Sequence, residues 1–341
     1  MEYAGLEPFG GNPRQSPASE IAEHIRFLPS QMIEGTQRLT DLIAGLRPDV
    51  VHIWQDGTIL ATALAALLAN VPRIVLSVRT VPPIDRPSRM KPQYEVLYPA
   101  LVRMPGVVLS ANSHHAARRY AHWLDLDPAL IPVVHNGLHR LPEDSDANAS
   151  NLLAGFDTQT TGRDFTVGSV MRFDENKRPF VWLDCAAALL EQVPNARFIL
   201  VGDGPLLASA KQYAQMHGIA SRVLFTGQSN KVGFWLKSFD AMLLLSKFEG
   251  LPNVLIEAQF AGVPVVSTPA GGAAETVKQG VTGMILRNGD AVDPREVADI
   301  LMVIRSNAHQ RPAFQKIAAD WVESHFTIDQ MLESTVRVYA Q

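Results

Sequence analysis

Short runs of apolar residues recur along this chain, each followed by a longer stretch in which apolar positions return every three or four residues. In the first half, the runs Asp49 to Trp54, Arg73 to Val78, Val107 to Ala111 and Ile131 to Val134 predict four strands. Ser19 to Leu46 carries a helical stripe of Leu39, Leu42, Ile43 and Leu46, which Pro48 ends. Alanine-rich Thr58 to Ala69 and Ser113 to Leu124 predict two more helices. The second half repeats the alternation, with strands at Phe165 to Met171, Arg197 to Val201, Val223 to Gly227, Ala241 to Leu245 and Val263 to Ser267. Helices are expected from about Pro252-Asn253 to Ala261, then over Pro294 to Ser306 and His309 to Phe326. Strands alternating with helices predict an α/β protein with parallel, doubly wound sheets. Residues 1–18 read as irregular, and Gly10-Gly11 follows no strand, so it is not read as a phosphate loop. Leu141 to Thr161 shows no apolar period and reads as a linker between two domains.

The densest chemistry lies between Leu243 and Val277, where a strand, a loop, a helix and a second strand follow one another as a right-handed βαβ unit. A helix N-terminus offers unpaired N–H groups and the positive end of a dipole, which together attract phosphate. Pro252 suits a helix start, and Gly250 lets the backbone approach a ligand. Glu249 stands at the carboxyl end of the strand, where open α/β sheets bind ligands. Beside a phosphate, its carboxylate is better suited to accept hydrogen bonds from hydroxyls. Glu257, eight positions on, can grip another diol such as a ribose. An anion pocket flanked by two diol-binding carboxylates describes a site for a sugar nucleotide.

The run Glu249-Gly250-Leu251-Pro252-Asn253 through Glu257, followed by G-V-P-V-V-S-T and G-G-x-x-E, resembles the donor site of retaining GT-B glycosyltransferases with the E-x7-E motif. These are the group 1 glycosyl transferases of the bacterial capsule, lipopolysaccharide and exopolysaccharide type. The resemblance implies two Rossmann-like domains facing a cleft and transfer of a sugar from a UDP- or GDP-sugar to a polysaccharide or glycolipid acceptor. No cofactor and no metal are implied beyond that donor. Arg172 and Lys177 match the family's diphosphate-neutralising pair in type and spacing, with Met171 and Arg178 where glycines are usual. Two cations there oppose charge that develops on the leaving group. With Glu249 they form the candidate catalytic set. Gly250, Leu251, Pro252, Asn253, Glu257, Gly202 beside the nucleoside, and Gln228 and Asn230 beside the base form the donor-binding set.

In the first half the likeness is looser. D-V-V-H-I-W resembles a family strand that carries His52, Arg79 stands where many relatives have a histidine, and V-V-H-N-G-L-H resembles a closing turn that contains Asn136. These three are the acceptor-side candidates. The family's opening strands and glycine-rich acceptor loop have no counterpart, so the N-terminal domain is expected to be incomplete by about a third of the six-strand plan. The expected boundaries are 1–140 for the acceptor-side domain, 141–163 for the linker, 164–326 for the donor domain and 327–341 for a terminal helix crossing back. An incomplete domain also admits a second function: a nucleotide-sugar-binding subunit or fragment, inactive alone, that needs a partner or its missing N-terminal segment; a homo-oligomer or a partner subunit is expected to cover the exposed edge.

Composition narrows the remaining classes. A formal net charge of −4 gives no electrostatic case for nucleic acid. Cys185 is the only cysteine, which excludes an intrachain disulfide and fits a cytoplasmic chain. Ile59 to Leu68, the longest apolar stretch, is too short to span a bilayer, and the first residues lack the pattern of a signal peptide. His114, His115, Arg118, Arg119, Tyr120 and Trp123 make a basic, partly aromatic helix. It reads either as a solvated face or as a peripheral contact with the inner face of a membrane. Asp125-Leu126-Asp127 precedes Pro128 and reads as a turn, although it imitates a metal-binding D-x-D.

Overall fold

The computed structural model describes residues 29–159 and 164–340. They form two compact units, one built from the residues up to His135 with those from Asp329 onward, the other from Asn136–Ile328. The readings placed on residues 1–18, on Gly10-Gly11 and on the first ten residues of the Ser19 helix lie outside the described residues. Among the described residues no helix is long and apolar enough to cross a membrane.

The first unit holds a parallel three-stranded sheet in the order β1 (Val50–Trp54), β2 (Arg73–Val78), β3 (Val107–Ala111). Five of the six residues of β2 are buried, as a central parallel strand covered on both faces requires. One covering layer is the helix Asp56–Leu68, whose buried Ala63, Ala65 and Ala66 let it lie close to its neighbours. The terminal helix Ile328–Ala340 places Val338 against Val75 and Val134. The strand expected at Ile131 to Val134 is a correction: only Val133 bridges to Ala111. Pro132 accepts from the Ala111 N–H at 3.1 Å but has no N–H of its own to extend a ladder. The helix Pro92–Leu101 was not anticipated, because Pro92 at its start and Pro99 inside it mask the helical pattern.

The second unit holds a six-stranded parallel sheet. Its strands are β4 (Phe165–Val170), β5 (Ala196–Val201), β6 (Val223–Gly227), β7 (Ala241–Leu244), β8 (Val265–Ser267) and β9 (Gly283–Ile285), in the order β6-β5-β4-β7-β8-β9. The chain moves outward from β4 to β6, then returns to the other side of β4 and moves outward again. Its topological switch point therefore lies between β4 and β7, where open sheets of this kind bind ligands. Buried Trp182 meets Phe198 edge to face, and the indole N–H donates to the Leu243 carbonyl at 3.0 Å. Most of the segment read as a linker is instead the helix Ala147–Gln159, capped by Asp146 accepting from the Ala149 N–H at 2.8 Å. Among its described side chains only Ala149 and Phe156 are buried, too few to write an apolar stripe into the sequence.

Candidate functional site

The loops after β4 and β7 flank the switch point, and side chains join them. Asn176 does so in both directions: its amide donates to the Phe248 carbonyl at 3.1 Å and accepts from the Phe248 N–H at 2.9 Å. Its backbone carbonyl accepts from the Lys247 N–H at 2.9 Å. Next to this clamp, the Lys177 ammonium is ion-paired with the Glu249 carboxylate, both side chains being largely buried. A residue expected to hold diphosphate and one expected to hold a sugar are thus a single unit. An ammonium carries three donors, so Lys177 can hold Glu249 and an anionic ligand oxygen together. Arg172, by contrast, is exposed and lies 3.6 Å from Asp174.

Arg178 occupies the position where the family has glycine, and its φ of 51° shows why glycine is usual there. Here the strain is offset by a buried guanidinium that donates to the carbonyls of Leu245 at 2.6 Å, Ser246 at 3.2 Å and Gly289 at 2.7 Å. Arg178 therefore cross-links the end of β7 to the loop after β9. Neither this role nor that of Asn176 was assigned from sequence. The replaced glycine was the available signal for Arg178; nothing local marked Asn176.

The helix Asn253–Phe260 begins directly after the Glu249 loop, and Pro252 at its N-cap has no side-chain acceptor for the first-turn N–H groups. Asn136, placed by sequence with the acceptor-side residues, belongs here instead. Its buried amide donates to the Leu251 carbonyl at 3.2 Å and to the Asn253 side-chain oxygen. Gly250 and Leu251 are buried beneath this turn, and the Gly250 carbonyl accepts from the Gly272 N–H at 2.7 Å. A Cβ at Gly271, where φ is 55°, would strike the Glu249 carbonyl, so the glycine-rich turn after β8 braces Glu249 from behind. Glu257, one turn along the helix, is mostly buried, and burial raises its carboxyl above the usual carboxylate value.

Gly202 ends β5 against the loop after β4, where a Cβ would strike the Met171 carbonyl. The Phe173 N–H donates to the Asp203 carbonyl at 2.9 Å and binds the two loops together. Gln228 and Asn230 follow edge strand β6 and are exposed. The structure thus collects Lys177, Glu249 to Asn253 and Asn136 at the switch point, with Gly202 one strand away and Gln228 and Asn230 two strands away.

His52 and Arg79 are neighbours in the first unit, lining one small cavity with Trp54 and Ser77. His52 Nδ1 lies 2.9 Å from the Tyr339 hydroxyl, and its Nε2 is buried with no hydrogen-bond partner among the described residues. Burial, with the Arg79 charge adding to it, lowers the imidazole to about 4, so His52 is neutral at pH 7. The Arg79 guanidinium lies over the Trp54 ring at 4.4 Å from its centroid, and burial lowers it to about 10. In the helix His114–Leu124, Tyr120 is buried and Arg119 is ion-paired with Asp85. Tyr120 is therefore unavailable for the membrane contact considered from sequence.

Removing Lys177 leaves a mostly buried Glu249 charge without its cation. Lys177→Ala is expected to cost about 2 kcal/mol, less than a fully buried pair because both groups keep some access to water. Glu249→Gln in the Lys177→Ala background should recover most of that loss in denaturant titrations of the second unit. A double variant no more stable than Lys177→Ala would show that the pair is not coupled.

The second unit is a doubly wound parallel α/β sheet with an ammonium and a helix N-terminus at its switch point. Residues 156–319 match the model of the Glycosyl transferases group 1 family, and residues 11–140 match that of Glycosyltransferase Family 4. Two glycosyltransferase family models thus match the two halves of the chain, and its fold is of the GT-B type. It is 40% identical over 324 residues to the Vi polysaccharide biosynthesis protein VipC/TviE of Salmonella typhi, covering 94% of this chain and 56% of that relative. The chain thus spans little more than half of that relative's length. It is 26% identical over 251 residues to an Escherichia coli UDP-Gal:alpha-D-GlcNAc-diphosphoundecaprenol alpha-1,3-galactosyltransferase, covering 71% of this chain and 63% of that one. Among solved structures, HepE of Anabaena in complex with UDP and glucose superimposes with a TM-score of 0.76 at 20% identity, covering 90% of this chain and 81% of that chain.

Proposed function

We propose that this chain transfers a sugar, with retention of anomeric configuration, from a UDP- or GDP-sugar to a polysaccharide or glycolipid acceptor. The observation that carries the reading is the Lys177–Glu249 pair at the switch point, directly before a helix whose first turn has no side-chain cap. Lys177 and the helix N-terminus would take the diphosphate, with Arg172 swinging in from solvent. Glu249 would hold the donor sugar and Glu257 the ribose. The ribose hydroxyls would donate to a carboxylate that burial has already made costly to ionise. Support for a UDP-sugar comes from relatives: the E. coli enzyme is named for UDP-Gal, and HepE was solved with UDP. A role in polysaccharide biosynthesis is supported by the name of the Salmonella relative.

We assign the charge neutralisation to protein cations rather than to a divalent metal. Nucleotide titration by calorimetry in excess chelator is the test: UDP or GDP should bind as it does with added magnesium. Loss of binding in chelator would overturn this assignment. Transfer, or slow donor hydrolysis, should accompany binding; nucleotide-sugar binding with neither would mark a binding subunit instead.

A further inference from the structure

We infer that the first unit carries a binding cavity for an oxyanion, a carboxylate or phosphate borne by the acceptor, built from Arg79, Arg86, Arg89 and Lys91. The cavity measures about 530 Å³ and opens where β1 and β2 end, beside Gln55 and Thr80. Four cationic side chains line it against one carboxylate, in a chain whose net charge is −4. The carboxylate, Asp56, is already engaged. It accepts from Arg86 at 2.6 Å, from the Tyr98 hydroxyl at 2.6 Å and from the Tyr120 hydroxyl at 2.7 Å. The field inside the cavity is therefore positive, and guanidinium forks suit carboxylate and phosphate geometry.

Two of the cations, Arg79 and Arg86, are also held in place, which lowers the cost of ordering them around a ligand. Two ion pairs anchor the segment that carries three of the four cations: Asp56 with Arg86 on one side, and Asp85 with Arg119 on the other. Arg79 is fixed by stacking on Trp54. Gln55 adds an independent mark. Its φ of 74° and ψ of 144° lie in a region few residues other than glycine adopt, and its N–H donates to the Ser77 carbonyl at 3.1 Å. Strain of this kind persists where the surroundings over-determine it, commonly at ligand sites. Here it directs the N-terminus of the thirteen-residue helix Asp56–Leu68 to the cavity, since Gln55, Asp56 and Gly57 all line it.

That the anion belongs to an acceptor rests on the reading that the second unit takes the donor. The test uses the full chain and three probes in calorimetry at low salt: glucuronate, inorganic phosphate and glucose. Arg89→Ser/Lys91→Ser is the informative variant, because both side chains are exposed and the fold does not depend on them. One anion should bind saturably, glucose should not, and the double substitution should weaken the anion at least tenfold. Lys177→Ala should leave that binding unchanged. Preference for glucuronate would indicate an acidic sugar, and preference for phosphate a phosphorylated carrier; either supports the cavity. Equal binding by parent and double variant, glucose binding as well as the anions, or sensitivity only to Lys177→Ala would overturn it. UDP titrated into the same samples keeps the two readings separate. Intact UDP binding without anion binding removes the cavity alone, and the reverse removes the donor assignment alone.

Discussion

Asp56→Ala is expected to destabilise the first unit by about 4 kcal/mol, because one carboxylate there serves two buried phenols and a partly buried guanidinium. Its loss strands the Arg86 guanidinium and the hydroxyls of Tyr98 and Tyr120, both phenols being fully buried. Both phenols are held well above the usual value, by burial first, so they remain O–H donors in need of an acceptor. Asp56→Asn keeps the size and one acceptor oxygen and should cost less. Hydrogen exchange is the suitable measurement, since it reads each unit separately. Protection in β1, β2 and β3 should fall by about a thousandfold in Asp56→Ala, while β4 to β8 stay as in the parent. Unchanged protection in the first sheet would mean that the cluster is held by its packing rather than by its carboxylate.

Glu249→Gln is expected to lower the turnover rate by about a hundredfold, the size of losing one charge that stabilises a transition state. Its placement is the reason. On the proposed reading Glu249 precedes the helix that would face the phosphates, and it is held by Lys177 and by the Gly271 turn. Glutamine keeps the shape and can still accept from Lys177, but it cannot stabilise a cationic, oxocarbenium-like sugar. Glu257→Gln should act in the opposite sense, raising the Michaelis constant for the donor roughly tenfold with the rate little changed, because ribose contacts are made equally in ground and transition states. Steady-state kinetics with a competent acceptor would separate the two. If Glu249→Gln raised only the Michaelis constant, the carboxylate would be a binding group and its assignment to the reacting sugar would fall.

Several features were legible before any coordinates. The helix Asn253–Phe260 and the strands around it follow from an apolar run, a proline start and a glycine stop, all of which act within a few residues. The three-residue strand β9 and the helix Ala147–Gln159 were not legible, since each draws its stability from neighbours distant in sequence. The helix has two buried side chains among those described and no stripe, and β9 gains its ladder only once β8 is in place. A similar limit explains Ile131 to Val134. Its apolar character was read correctly, but a proline inside it reduced a strand to a single bridge.

Sequence alone determined the alternation of strands and helices and the loop from Glu249 to Asn253, because periodicity, turn residues and helix starts are local physics. Which side chains meet at the site was decided by the tertiary structure. The Lys177–Glu249 pair joins residues 72 positions apart, and Asn136 reaches Leu251 across 115. The first contact exists because the strand order reverses between β4 and β7, which brings the loops after those strands together at one end of the sheet. The Asp56 cluster likewise gathers residues 30, 42 and 64 positions away, and no spacing rule links a carboxylate to a hydroxyl at such separations. Chain topology sets those meetings, and burial then requires that every polar group gathered there find a partner.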